Sequence, residues 1–98
     1  MEPVRFTAAL WRWAAQDAWR FVTLPEDLSE AIRFTCGPPR GFGSVRVAVT
    51  VGTTSWRTSV FPDNDSQCYV LPMKRAVRLA EDLEDGDLVT VTLQPVED

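Results

Sequence analysis

Apolar and aromatic residues crowd two early segments, Val4 to Trp13 and Trp19 to Leu24, with the short stretch Ala14 to Ala18 between them. Enrichment of this kind predicts two strands and a connection. If Trp13 faces Trp19, antiparallel pairing sets Trp11 beside Phe21 and Leu10 beside Val22. One side of the pair then carries Phe6, Ala8, Leu10, Val22 and Leu24, and the other carries Trp11, Trp13, Trp19 and Phe21. A strand pair that is apolar on both sides is covered twice or presents an adhesive surface.

Alternation is cleanest from Val45 to Phe61. The runs Val45–Val51 and Thr54–Phe61 flank Gly52-Thr53, a two-residue loop suited to a type II′ turn that sets Val51 opposite Thr54. Val45, Val47, Val49, Trp56 and Val60 then share one face, while Arg46, Ser55, Arg57 and Ser59 share the other. A slip of one residue would bury both arginines, so the register is well specified.

The period lengthens to that of a helix twice. Pro25 opens a short helix in which Glu26 and Asp27 suit the dipole and Leu28, Ala31 and Ile32 recur at helical spacing. The proline- and glycine-bearing connector from Gly37 to Ser44 ends it. After the polar loop Asp63 to Gln67, Cys68 to Leu71 reads as a short strand. Pro72 starts a second helix, whose stripe is Met73, Ala76, Val77, Ala80 and Leu83. Glu84-Asp85-Gly86-Asp87 turns the chain into a closing strand, Leu88 to Leu93, with Val89, Val91 and Leu93 facing inward. Pro95 discourages further pairing.

One scheme occurs twice. Phe21-Val22-Thr23-Leu24-Pro25 runs into a helix, and Tyr69-Val70-Leu71-Pro72 does the same. Strand, Leu-Pro, helix, repeated in a small chain rich in strands, predicts a pseudo-symmetric barrel with one helix per half. The 98 residues suffice for one domain, residues 1–98, and no low-complexity spacer divides them.

Composition narrows the chemistry. The net charge is −4 and histidine is absent, which counts against a generally basic nucleic-acid binder and removes the commonest general base and metal ligand. With two cysteines, Cys36 and Cys68, a four-cysteine zinc site is also excluded within one chain. The absence of a signal-peptide layout or a long apolar run points to a cytoplasmic chain with reduced thiols and no membrane contact. No metal site or cofactor is expected. Asp63-Asn64-Asp65-Ser66-Gln67 begins like an EF-hand loop, but Cys68 and Lys74 stand where glycine and glutamate are needed, so it reads as a hydrophilic hairpin loop. Gly41-Phe42-Gly43 lacks the lysine and spacing of a phosphate loop.

The chain then resembles a family. The words Phe6-Thr7-Ala8 with Leu10-Trp11, Trp19 to Pro25, Gly43 to Val47, Trp56 to Ser59 and Phe61-Pro62 carry the likeness. Tyr69 to Val77 and Gly86-Asp87 complete it. Together they resemble the bacterial domain-of-unknown-function family numbered nineteen-oh-five. The resemblance implies a small closed six-stranded double-split β-barrel and no established activity. In some relatives such a barrel is joined to a bacteriocin-protection-like, OmpD-associated domain, for which this chain is too short. The last third, from Tyr69 to Val91, is also similar to the swapped-hairpin DNA-binding module of transition-state regulators and antitoxins. That likeness implies barrel architecture more than DNA binding, since residues 63–98 carry three basic residues against nine acids.

Three groups of residues are candidate sites. Lys74, Arg75 and Arg78 place cations where the second helix begins, against its dipole, and would form an anion site; the plainer reading is a solvated face offset by Arg78–Glu81 and Arg78–Asp82 pairs. Arg46 and Arg57 lie diagonally on the polar face of the central hairpin, either gripping an anion by forked hydrogen bonds or simply keeping that face wet. Trp11, Trp13, Trp19 and Phe21 form core beneath a helix, an interface, or a pocket lidded by Arg40 and Phe42; the plainer reading of that connector is a loop clamped onto the barrel by Phe42. The leading expectation is a non-enzymatic interaction module that engages a protein partner or its own copy. A nucleic-acid or anion binder using the start of the second helix is the alternative. An enzyme relying on Asp63, Asp65 or Asp87 comes third.

Overall fold

The computed structural model describes residues 1–16, 18–35 and 43–96. Its elements are β1 (Val4–Ala9), β2 (Trp11–Arg12), β3 (Arg20–Thr23), α1 (Glu26–Thr35) and β4 (Val45–Val51). They continue with β5 (Thr54–Asp63), β6 (Cys68–Pro72), α2 (Arg75–Ala80) and β7 (Leu88–Pro95). The seven strands pair antiparallel in the order β1-β7-β4-β5-β6-β3-β2. The two outer members of that order, β1 and β2, are consecutive in the chain, so the sheet curls into a nearly closed barrel. The mainly β class, the two short helices and the barrel are as the sequence predicts.

The strand count is seven rather than six because the first predicted strand breaks at Leu10. Up to Ala9 it pairs with β7, and from Trp11 it pairs with β3. At the break, Leu10 N donates to Asp87 O at 2.9 Å and Gly86 N donates to Leu10 O at 2.8 Å. Leu10 therefore lies against the Glu84–Asp87 turn and not beside Val22 in a ladder, although both side chains enter the core. A side chain 1% exposed at the break holds the bend in place.

β5 makes the same change of partner, pairing with β4 as far as Val60 and with β6 from Phe61. The repeated Leu-Pro words thus belong to two matching halves, β1–β2–β3–α1–β4 and β5–β6–α2–β7. Exchanging the halves leaves every strand adjacency unchanged. Thr23 pairs with Val70, one residue before each Leu-Pro word, so a local two-fold axis passes through that pair. The symmetry stops at the helices. α1 begins directly after Pro25, whereas Pro72 stays in its strand and α2 waits until Arg75, with Lys74 extended at its N-cap. The reason is a strand bond that continues on one side only: Met73 N donates to Arg20 O at 2.8 Å and holds residues 72–73 in the ladder.

The interior is one cluster, fed by Val47, Val49, Val51 and Val60 of the central hairpin, Val89, Val91 and Leu93 of β7, and Val22, Leu71 and Phe6. Trp56 packs against it, half-buried, as the alternation predicts. Val51 faces Thr54 across Gly52-Thr53, and Gly52 takes φ +58°, as a type II′ turn requires. β7 runs further than predicted, for Pro95 pairs with Val47 and Val96 N donates to Arg46 O. Proline removes one donor from a ladder but does not end it.

The helices lie at opposite ends of the β3–β6 pair. α1 adds Leu28 and Ile32 to the core, and its buried Ser29 Oγ accepts the Tyr69 amide at 3.0 Å. α2 adds Val77, while Ala76 and Ala80 of its predicted stripe are exposed. Among the described residues no helix is long and apolar enough to cross a membrane.

Candidate functional site

Alternation along β3 decides where the aromatic residues go. Val22 and its partner Leu71 point into the barrel, so Phe21 and Thr23, with their partners Pro72 and Val70, point out. Two rows result across the outer face, Trp11–Phe21–Pro72 and Thr23–Val70–Phe61. Phe21 is the hub. Its ring lies 5.1 Å from Trp11, 6.4 Å edge-on from Trp13, and 5.9 Å from Trp19 in a stack tilted by 16°. Trp11 Nε1 donates to Thr23 Oγ1 at 2.9 Å, which fixes one indole, and Trp13 N donates to Trp19 O at 3.1 Å, which closes the hairpin.

This cluster is not core beneath a helix. Trp13 is 43% exposed and Trp19 46%, with Phe61 at 38% on the neighbouring row. Both helices cap the ends of the strand pair, so neither crosses this face. On this outer face Val70, between Thr23 and Phe61, is buried without belonging to the interior cluster, and so is Cys68 further along β6. Cys68 is a free thiol. Cys36, Arg40 and Phe42 lie outside the described residues, and so does the lid expected of the last two.

On the other side of the same hairpin, an open groove of about 480 Å³ runs between β3 and α2. Ala18, Arg20, Arg75, Arg78, Leu79 and Leu83 line it. Two of the three predicted cations are therefore brought together and Lys74 is not; it is the N-cap residue and makes no side-chain cap bond. Arg20, which sequence reasoning missed, takes its place. The available signal was alternation, which puts Arg12 and Arg20 opposite each other on the inward side, where a charge fits only at a barrel's end. Arg20 Nε donates to Asp85 Oδ1 at 2.5 Å, and Arg78 Nε donates to Met73 O at 3.1 Å.

The expected Arg78–Glu81 and Arg78–Asp82 pairs do not form among the described residues. Glu81 reaches the tip of the central hairpin instead, accepting from Thr54 Oγ1 at 2.6 Å and Thr53 Oγ1 at 3.3 Å. Its place near a helix C-terminus, unfavourable for the dipole, is explained by that tertiary clamp. Asp82 carries φ +53° where the chain leaves the helix.

Arg46 and Arg57 stand diagonally on the outer face of the central hairpin, opposite Ser59 and Ala48, and neither lines the groove. The three acids proposed for acid–base work lie outside the groove as well. Asp63 Oδ2 accepts from Ser66 N and Oγ in a tight turn, and Asp87 Oδ2 accepts from Glu84 N.

A profile of the family described as Domain of unknown function (DUF1905) matches residues 6–93. The chain belongs to the DUF1905 family. No protein of curated function matches it. This DUF1905 domain presents two distinct surfaces on one hairpin, the aromatic outer face and the arginine-lined groove.

Proposed function

We propose that this DUF1905 domain is a non-enzymatic interaction module that docks through the outer face of β2 and β3 on an apolar protein surface, its own copy or another chain. The observation that carries the reading is the exposure of Trp13 and Trp19 around Phe21. Tryptophans left half in water just beyond β2 and before β3, and packed on Phe21, offer large apolar area at small cost in side-chain entropy, and aromatic residues are enriched at the centres of interfaces. Packing against Phe21, edge-on for Trp13 and stacked for Trp19, presents them ready-ordered.

Sedimentation equilibrium of the full chain over micromolar to millimolar concentrations tests self-association, with the Trp13→Ser/Trp19→Ser variant as control. A mass that rises with concentration in the parent and stays monomeric in the variant supports docking on a second copy. If the parent is monomeric throughout, proteins captured from the native cell are purified and titrated against parent and variant. Direct binding lost in the variant supports a partner chain. Equal behaviour of parent and variant in both assays overturns the reading.

A further inference from the structure

The groove beside α2 is built from side chains the docking face does not use. Three of its six lining residues are arginines, set among the apolar Ala18, Leu79 and Leu83. Arg20 is held by Asp85 and by the Trp19 carbonyl, and Arg78 is held at Nε by the Met73 carbonyl, which orients the Arg78 guanidinium before anything binds. Arg75 is exposed at the start of α2, and among the described residues no carboxylate pairs with Arg75 or Arg78. Arg20 is neutralised by Asp85, which leaves these two as the groove's cations without a carboxylate partner among the described residues. Guanidinium forks match the oxygens of phosphate and carboxylate, and a lysine would not do so equally well. Leu79 is 68% exposed on a helix that buries Val77, so its side chain is a wall of the groove and not part of the core. The groove, about 480 Å³, is open, so a ligand lying in it stays partly in water.

We infer that this groove binds a small organic anion, with a phosphate or carboxylate head gripped by Arg75 and Arg78 and an apolar body laid along Ala18, Leu79 and Leu83. The two inferences are separable, since Trp13 and Trp19 line the opposite side of the hairpin.

The test titrates the isotopically labelled full chain with hexyl phosphate, inorganic phosphate and hexanol at low salt, following backbone amide shifts. Hexyl phosphate is expected to give saturable shifts at Ala18, Arg75 to Leu79 and Leu83. Its affinity should exceed that of either inorganic phosphate or hexanol by about tenfold, the size of one charge-assisted hydrogen bond or two buried methylenes. Arg75→Glu, at an exposed position with no bond to the fold, should lower that affinity by about tenfold or more with an unchanged circular dichroism spectrum. Arg78→Lys keeps the charge, loses the fork, and should weaken binding less. No saturable shift with hexyl phosphate, undiminished affinity in Arg75→Glu, or hexanol binding as tightly as hexyl phosphate would overturn the inference. An oligonucleotide that occupies the groove more tightly than hexyl phosphate, with a steep salt dependence, would do so too, by reassigning the groove to nucleic acid.

Discussion

Gly52 and Gly86 both take positive φ, at +58° and +89°, yet they are not equivalent. A Cβ on Gly52 would lie 1.9 Å from Glu81 Oε1, while one on Gly86 would meet nothing within 4 Å. Gly86→Ala should therefore cost about 1 kcal/mol, the strain of the left-handed backbone alone. Gly52→Ala should cost about 2–4 kcal/mol in urea denaturation, because the Glu81 clamp on Thr53 and Thr54 must also give way. In a Glu81→Ala background the cost of Gly52→Ala should shrink toward that of Gly86→Ala; additive costs would show that the close approach is unimportant. Ser29 makes a different point. It is a fully buried hydroxyl that accepts the Tyr69 amide, and Ser29→Ala would leave that amide without its partner. A loss of about 1–3 kcal/mol is expected, visible as a lowered thermal midpoint.

Among the elements, the β2–β3 hairpin owes its order to side chains more than to backbone. β2 has two residues, too few to hold a strand by its ladder alone. The rings of Trp11, Trp13 and Trp19 around Phe21 supply the rest, each aromatic pair contributing about 0.5–1.5 kcal/mol beyond burial. Phe21→Ala should thus release the hairpin locally. Tryptophan emission should shift to the red and the Trp13 amide should exchange faster, while the amides of β4 and β7 keep their protection. Loss of protection across the whole sheet would mean that the cluster supports the barrel and not just the hairpin.

At the scale of the whole molecule, two sheet-switching strands and two end-capping helices share a single interior cluster. One core predicts one transition: unfolding curves from tryptophan fluorescence and far-ultraviolet circular dichroism should coincide, although most of the tryptophans lie outside that core. Separated curves would show that the outer aromatic layer melts independently. The halves match in strand order but not in the side chains at equivalent positions. The counterpart of Phe21 across the local two-fold is Cys68, which is buried, so the tryptophan cluster around Phe21 has no equivalent on the other half.

Much of this architecture was legible in the chain. The alternation from Val45 to Val60, the Gly52-Thr53 turn, the partnership of Trp11 with Phe21 and the two helices follow from periods and turn residues, because those signals act between neighbours in sequence. The repeated Leu-Pro words announced two related halves for the same reason. What remained hidden depends on residues far apart. Leu10 breaks its strand because Gly86 and Asp87 arrive beside it, and Pro72 stays extended because Arg20 accepts the Met73 amide. No local pattern encodes either meeting. The site divides in the same way. Sequence alone determined that arginines and tryptophans would sit on opposite sides of one strand, since successive side chains alternate. Only the tertiary structure decided that the helices would cap the ends and leave Trp13 and Trp19 in water, and that Arg20 would join Arg75 and Arg78 around one groove. Closing the barrel sets which faces are covered, and that is a property of the assembled core, to which each strand contributes but which none specifies.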